Sequence, residues 1–166
     1  MNQFALQEIQ NKVSGLFSRM AELDSEIRKA LGEYSNGKTL KGSEYVGWLG
    51  EIYVKYYYDG VLVDDTHEHD VQTATMKISV KTRKGWKSGW RHSSAIPKIR
   101  GTASPTHLAF VHLDENFKLD GIWLFEWQEL IREKRFEKHM VRKKMRSWIF
   151  RLNEKKDALK KVYPFI

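Results

Sequence analysis

The chain has 166 residues and a mass of 19.6 kDa, the size of one domain that can bury a hydrophobic core. Its 29 Lys and Arg against 21 Asp and Glu give a formal charge of +8, which favours a polyanionic partner, most often nucleic acid. The absence of cysteine excludes disulfides, thiolate zinc sites and cysteine nucleophiles. The sequence also has neither a membrane-spanning apolar run nor a signal-peptide pattern. We therefore expect a cytoplasmic protein without membrane contact.

The first predicted element is a long amphipathic helix over residues 3–31. Its apolar residues recur every three or four positions, as in the seam of a coiled coil. They are Leu6, Ile9, Val13, Leu16, Met20, Leu23, Ile27 and Leu31. The seam could pack on its own domain or form a homodimer contact, and the pattern leaves both open.

A second helix is predicted over residues 44–58 after a polar loop, and Asp59-Gly60 ends it. After residue 60, the spacing of the apolar residues changes from the helical period to the pattern of strands. The sequence predicts a short strand, a hairpin that turns near Met76, a long basic connection, a buried central strand and a further strand. Their ranges are 61–63, 70–75 with 77–82, 83–106, 107–113 and 121–125.

The C-terminal part is predicted as helical and basic. A helix over 126–134 is expected to continue through 136–150 with Phe136, Met140 and Trp148 facing inward, and the tail after 154 to form an edge strand or a packed end. The element order indicates a single α/β domain with a mixed central sheet flanked by helices. Its expected parts are the N-terminal helix of 3–31, a core of 44–125 and a basic helical part of 126–166.

One group of residues indicates chemistry. Asp70 begins the first strand of the predicted hairpin, and Lys81 lies on the second strand, so a turn near Met76 places them level with each other. Glu51, on the preceding helix, could reach the same place. Carboxylates that hold Mg²⁺ and a nearby ammonium are what phosphodiester hydrolysis needs.

The stretch from 44 to 125 resembles the PD-(D/E)XK nuclease superfamily. The resemblance implies a restriction-endonuclease-like fold and a Mg²⁺ site that also accepts Mn²⁺. Asp70 is then the central metal ligand, Glu51 the helical acid, the main-chain carbonyl of Val80 a further ligand, and Lys81 the catalytic lysine.

Two positions depart from the family pattern: Ser79 stands where a second acid is usual, and His69 stands where a proline is common. Ser79 could help through a water while Glu51 or Glu44 supplies the missing carboxylate. Alternatively, the site has lost catalysis and only binds.

Other metal sites are weaker alternatives. His67-Glu68-His69-Asp70 could suggest zinc, but the spacing is not that of a known zinc motif. An acidic group could instead attract a hard divalent cation; its members are Asp64, Asp65, Glu68 and Asp70.

Several basic residues lie in the stretch 83–100, directly after the predicted strand that contains Lys81, and this stretch has no acidic residue. Such a loop suits a phosphate backbone, and its two interleaved tryptophans could stack on bases or enter a groove. The candidate DNA-binding residues are Arg83, Lys84, Trp86, Lys87, Trp90, Arg91, Lys98 and Arg100. A second basic run, over 134–151, could grip the flanking duplex or be a solvated face.

These features together favour a Mg²⁺-dependent endonuclease acting on double-stranded DNA, with catalytic residues Asp70, Lys81, Glu51 and Ser79. The most concrete form is a small type II restriction-enzyme-like homodimer joined through the N-terminal helix. The alternatives are an inactive nuclease-fold DNA-binding module or subunit of a larger assembly, and a structure-directed repair or junction nuclease.

Overall fold

A computed structural model of the chain describes residues 19–20, 22–36, 45–64, 66–85, 92–101, 104–114 and 117–164. The chain divides into two compact units, Met1–Ser43 and Glu44–Ile166. In the first unit, residues 22–32 form helix α1, on which Arg28 pairs with Asp24 at 2.7 Å. Residues 3–18 of the predicted N-terminal helix lie outside the described residues.

The second unit is a mixed α/β domain, as the sequence predicts. Its elements are α2 (Tyr45–Tyr57), β1 (Val61–Leu62), β2 (Val71–Gln72), β3 (Lys77–Lys84), β4 (Ser93–Ile96), β5 (His107–Leu113), β6 (Leu119–Glu126), α3 (Trp127–Arg132), β7 (Phe136–Val141), β8 (Lys144–Arg151), a 3₁₀ turn (Ala158–Lys160) and β9 (Lys161–Tyr163). Six strands form a sheet in the order β1-β2-β3-β5-β6-β9, in which β3 and β5 are parallel and the other neighbours antiparallel. A second, antiparallel sheet has the order β4-β8-β7.

Helix α2 is held closely against β3. A Cβ atom on Gly50 would lie 1.8 Å from the Thr82 hydroxyl oxygen, so only glycine permits this approach. The helix ends at Tyr57, and the predicted Asp59-Gly60 stop follows: Asp59 has a φ of 49°, and the Gly60 amide donates to the Lys55 carbonyl at 2.8 Å.

The core forms on both faces of the six-stranded sheet. Val54 of α2 packs with Ile78 and Val80 of β3 on one face. On the other face, an aromatic cluster that includes Phe110, Phe125, Trp127 and Phe150 joins the sheet to α3 and to the second sheet. Because side chains alternate along a strand, Ser79 and Lys81 point to this second face.

The predicted helix of 126–134 is confirmed as α3, but its predicted continuation as a basic helix over 136–150 is wrong. These residues form the β7–β8 hairpin, in which Phe136 lies opposite Phe150 in the core. The chain reverses at Arg142 and Lys143, whose φ values of 48° and 63° suit a two-residue hairpin loop. Met140 is 51% exposed instead of facing inward.

Other differences are smaller. The predicted connection of 83–106 contains strand β4, and the predicted strand of 121–125 extends to Leu119–Glu126. The predicted C-terminal edge strand is confirmed as β9, which pairs with β6. Among the described residues, no helix combines the length and the apolar character that crossing a membrane requires.

Candidate active site

The hairpin that brings the predicted site residues together is present. The Thr73 amide donates to the Met76 carbonyl at 2.9 Å, which closes the turn. Val71 is paired with Ile78, so Asp70, the residue before β2, lies beside Ser79. The Asp70 amide donates to the Ile78 carbonyl at 2.9 Å and fixes this register.

The Asp70 carboxylate is the centre of the site. Its Oδ2 accepts a hydrogen bond from the Val80 amide at 2.7 Å and a longer one from the Ser79 hydroxyl at 3.4 Å. The Lys81 ammonium lies 3.8 Å from the same oxygen. The structure thus brings Asp70 and Lys81 together, as the predicted hairpin implies, while their catalytic and metal-binding roles stay predictions.

The Lys81 side chain folds back along its own strand. Its Nζ donates to the Val80 carbonyl at 3.0 Å, and the side chain is 23% exposed. The ammonium is thus held between a carboxylate and a main-chain carbonyl. Both are groups that the nuclease resemblance assigns to the metal.

These residues line an open cavity of about 350 Å³. Its polar wall consists of His67, Glu68, Asp70, Ser79, Lys81 and Lys98, and its apolar wall of Ile96, Pro97 and Trp127. Trp127 is fixed by the hydrogen bond from its indole N–H to the Ile99 carbonyl at 3.1 Å. The cavity therefore combines two carboxylates and two ammonium groups beside a rigid apolar surface.

Glu68 is the second acid of this cavity, and the sequence analysis named it only within the alternative acidic cluster. Its carboxylate pairs with the Lys98 ammonium at 2.8 Å. The available signal was its position two residues before Asp70 in the same acidic stretch. What the sequence could not indicate was that Lys98, a predicted DNA-binding residue just after β4, would pair with Glu68.

The other predicted metal ligands differ in position. Glu51 is half-buried on α2 and is not among the residues that line the described cavity. Its role as the helical acid stays a prediction. Glu44 lies outside the described residues.

The residues of the zinc alternative have other contacts. His69 is buried and its Nε2 lies 3.2 Å from the Gln72 side-chain oxygen, while His67 Nδ1 lies 3.2 Å from Asp64. Hydrogen bonds from the hydroxyl and the amide of Thr66 lower the pKa of Asp64 to about 2. Asp65 lies outside the described residues.

Only part of the predicted DNA-binding loop is described, since Trp86, Lys87, Trp90 and Arg91 lie outside the described residues. Arg83 links β3 to β4 because its guanidinium donates to the Ser93 carbonyl at 2.7 Å and to the Ser94 hydroxyl at 3.1 Å. The Lys84 ammonium lies 3.9 Å from the centre of the Phe117 ring. Lys98 lines the cavity and Arg100 is exposed.

A second cluster of ligand-type side chains was not anticipated from sequence. His92, His112 and Glu154 bring their donor atoms within 4.8 Å of one another. Burial, with smaller effects from His92 and Lys161, lowers the pKa of His112 to about 4. The three residues come from distant parts of the chain, so no spacing in the sequence indicates them.

No protein-family model matches the chain, and no curated protein matches it. Its function is therefore inferred from the geometry of the site.

Proposed function

We propose that the protein is a metal-dependent DNA endonuclease of the PD-(D/E)XK type. The observation that carries the proposal is the Asp70 carboxylate and the Lys81 ammonium, 3.8 Å apart beside the Val80 carbonyl in an open cavity. The basic composition of the chain supports a nucleic-acid substrate.

The donors of the cavity suit a hard divalent cation. Asp70, Glu68 and the Val80 carbonyl offer oxygen ligands of the kind that Mg²⁺ prefers, and Mn²⁺ accepts the same ligands. A divalent ion held by these groups would supply charge neutralisation at the scissile phosphate and would lower the pKa of a coordinated water. Ser79 hydrogen-bonds to Asp70 and orients it, so it does not need to be a ligand itself.

Lys81 has the position required to assist the attack. Its ammonium lies 3.8 Å from the carboxylate proposed to bind the metal, where it can orient the attacking water and stabilise negative charge that develops on the phosphate. Trp127 and Ile96 exclude water from one side of the cavity, which strengthens these electrostatic interactions.

Cleavage of plasmid DNA in Mg²⁺ and in Mn²⁺ tests the proposal. We expect Asp70→Asn and Lys81→Gln each to reduce cleavage by about 100-fold or more, since each removes a charge that acts on the transition state. Asparagine retains an oxygen that can accept from the Val80 amide. Matched controls are Asp120→Asn on β6 and Lys77→Gln on β3, which are exposed and outside the cavity.

Wild-type protein that leaves every DNA intact, while it binds DNA in a salt-sensitive way, would overturn the enzyme proposal. That result would favour the second candidate, a nuclease-fold module that binds DNA without cutting it. Ser79 is the observation that favours this candidate, because a hydroxyl replaces the usual second acid.

Glu68 and Glu51 can be distinguished as the second carboxylate. We expect Glu68→Gln to raise the Mg²⁺ concentration for half-maximal cleavage about 10-fold or more, because Glu68 shares the cavity with Asp70. Glu51→Gln should change it little. The opposite pattern in the Mg²⁺ titration would identify Glu51 as the acid, as the family resemblance implies.

The form of DNA that is cut separates the finer versions of the proposal. Discrete fragments from linear duplexes indicate a restriction enzyme, whereas preferential cutting of branched or flapped DNA indicates a repair or junction nuclease.

A further inference from the structure

The outer half of the β7–β8 hairpin is a strongly basic surface, here called the basic arm (residues 138–147). It contains five cations and no acid: Lys138, Arg142, Lys143, Lys144 and Arg146. All five are exposed. Among the described residues, none of the five is found in an ion pair. A cluster of like charges without internal partners is a favourable site for a polyanion.

The arm has the shape of a two-stranded ribbon. Strand β4 pairs with β8 only from Arg151 to Trp148, so beyond Trp148 the described part of this sheet has two strands. At about 3.3 Å per residue, the three residues of 139–141 that lie beyond Trp148 extend roughly 10 Å. The major groove of B-DNA, about 12 Å wide, accepts a two-stranded ribbon of this kind.

The base of the arm is rigid. Phe136 and Phe150 are paired and buried in the aromatic core. Just before β7, Arg135 donates to both carboxylate oxygens of the buried Asp157, at 2.9 and 2.8 Å. A fixed base means that little conformational freedom is lost when the arm binds a partner.

The tip carries residues that hairpin stability alone does not favour. Arg142 and Lys143 occupy positive-φ positions, at which Asn-Gly would form the turn with less strain. The chain thus places two cations at the tip at some cost in stability. Met140 and Met145 form an exposed cross-strand pair beside them, which suits contact with sugars and thymine methyl groups.

The arm also begins beside the candidate active site. Ile96, which lines the cavity, is paired with Trp148 of β8. Because β4 and β8 are antiparallel, the residues of β8 that precede Trp148 continue in the direction of Pro97, which also lines the cavity. The base of the arm therefore lies next to the cavity that contains Asp70 and Lys81, so a duplex held by the arm can reach it.

We propose that the basic arm enters a groove of duplex DNA and holds the duplex next to the Asp70–Lys81 cavity. The role of the bound DNA as a substrate rests on the proposed nuclease function, whereas binding by the arm does not require cleavage.

The double variant Arg142→Asn/Lys143→Gly tests this inference without endangering the fold, because Asn-Gly is the preferred sequence for such a turn. Binding of a fluorescent 30-bp duplex is followed by anisotropy over a salt series, without divalent metal. We expect about 10-fold weaker binding. The slope of log affinity against log salt should fall by about 1.8, the value for two lost phosphate contacts. The melting temperature should stay the same or rise.

The matched control is Lys155→Gln/Lys156→Gln, which removes the same charge from an exposed turn outside the arm. Unchanged binding by the arm variant, or an equal loss in the control, would overturn the inference. So would unchanged DNA binding together with lost binding to vesicles that contain phosphatidylserine, which would assign the arm to a membrane surface.

The two proposals fail separately. If the wild-type protein binds DNA through the arm but never cuts it, the arm proposal is supported and the nuclease proposal is rejected. Cleavage lost in Asp70→Asn, with unchanged binding by the arm variant, would leave the nuclease standing and reject the arm.

Discussion

At the scale of single residues, the Asp70 carboxylate serves the fold as well as the proposed chemistry. It supplies the acceptor for the Val80 amide from a position before the start of β2, where no ladder partner is available. Removal of that acceptor leaves a buried donor without its partner, at a cost of about 1–3 kcal/mol. A substitution by alanine would therefore mix loss of stability with loss of catalysis, which is why asparagine is the informative replacement.

The buried side chain of His112 is expected to make the folded protein less stable in acid. Burial lowers its pKa from 6.5 to about 4, so between these values the unfolded chain binds a proton that the folded chain does not. Its contribution to the free energy of unfolding is complete above pH 6.5 and is lost progressively as the pH falls to 4. Lys161 and His92 oppose the charged form, while the exposed Glu154 carboxylate lies 3.9 Å from Nδ1.

We expect His112→Phe to reduce the loss of stability between pH 7.5 and pH 4.5 by about 2 kcal/mol, because phenylalanine packs beside Trp123 and Phe110 without titrating. Urea unfolding followed by tryptophan fluorescence measures this. If the free energy of unfolding falls by the same amount in the variant and the wild type over this pH range, His112 is not the group responsible for the acid sensitivity.

At the scale of elements, the contact between Gly50 and Thr82 determines how closely α2 lies against β3, the strand that carries Lys81. Gly50→Ala should destabilise the protein by about 1–3 kcal/mol, since the new Cβ would overlap the Thr82 side chain. Gly47→Ala on the same helix should stabilise it by up to about 1 kcal/mol, because nothing lies within 4 Å of its Cβ position. Denaturant midpoints compare the two variants, and an equal response would contradict close packing at Gly50.

The sequence predicted the elements whose signals are local. The continuous apolar run of 107–113 became β5, and the hairpin around Met76 closed within a few residues, so Asp70, Ser79 and Lys81 could be placed together. The part of the cavity wall formed by Lys98 and Trp127 could not be foreseen, because it depends on the pairing of distant strands.

The β7–β8 hairpin was missed for a physical reason. Its turn consists of Arg142 and Lys143 instead of Asn and Gly, so it carries no turn signal. Most of its residues are exposed on both faces, which removes the alternation that marks a half-buried strand. The remaining apolar positions then matched a helical period by coincidence.

At the scale of the whole molecule, the first unit contains the residues of the predicted dimer contact. In α1, Leu23 and Ile27 of the apolar seam are 56% and 40% exposed. We expect Leu23→Glu/Ile27→Glu to convert a dimer to a monomer in sedimentation velocity, because charges replace apolar groups at the seam. Ser25→Glu/Lys29→Gln makes the same change in net charge at exposed positions outside the seam and should leave the dimer intact. A wild-type monomer would contradict the homodimer prediction.

The short turn between β2 and β3 has a consequence for the order of folding. Asp70 and Lys81 meet through a hairpin whose loop closes at low entropic cost, whereas the base of the basic arm depends on β4 pairing with β8 more than fifty residues later. During synthesis from the N-terminus, the chain can form the hairpin that carries Asp70 and Lys81 before the arm has left the ribosome. The nascent protein would then possess the central residues of its candidate active site before it possesses the surface proposed to hold DNA.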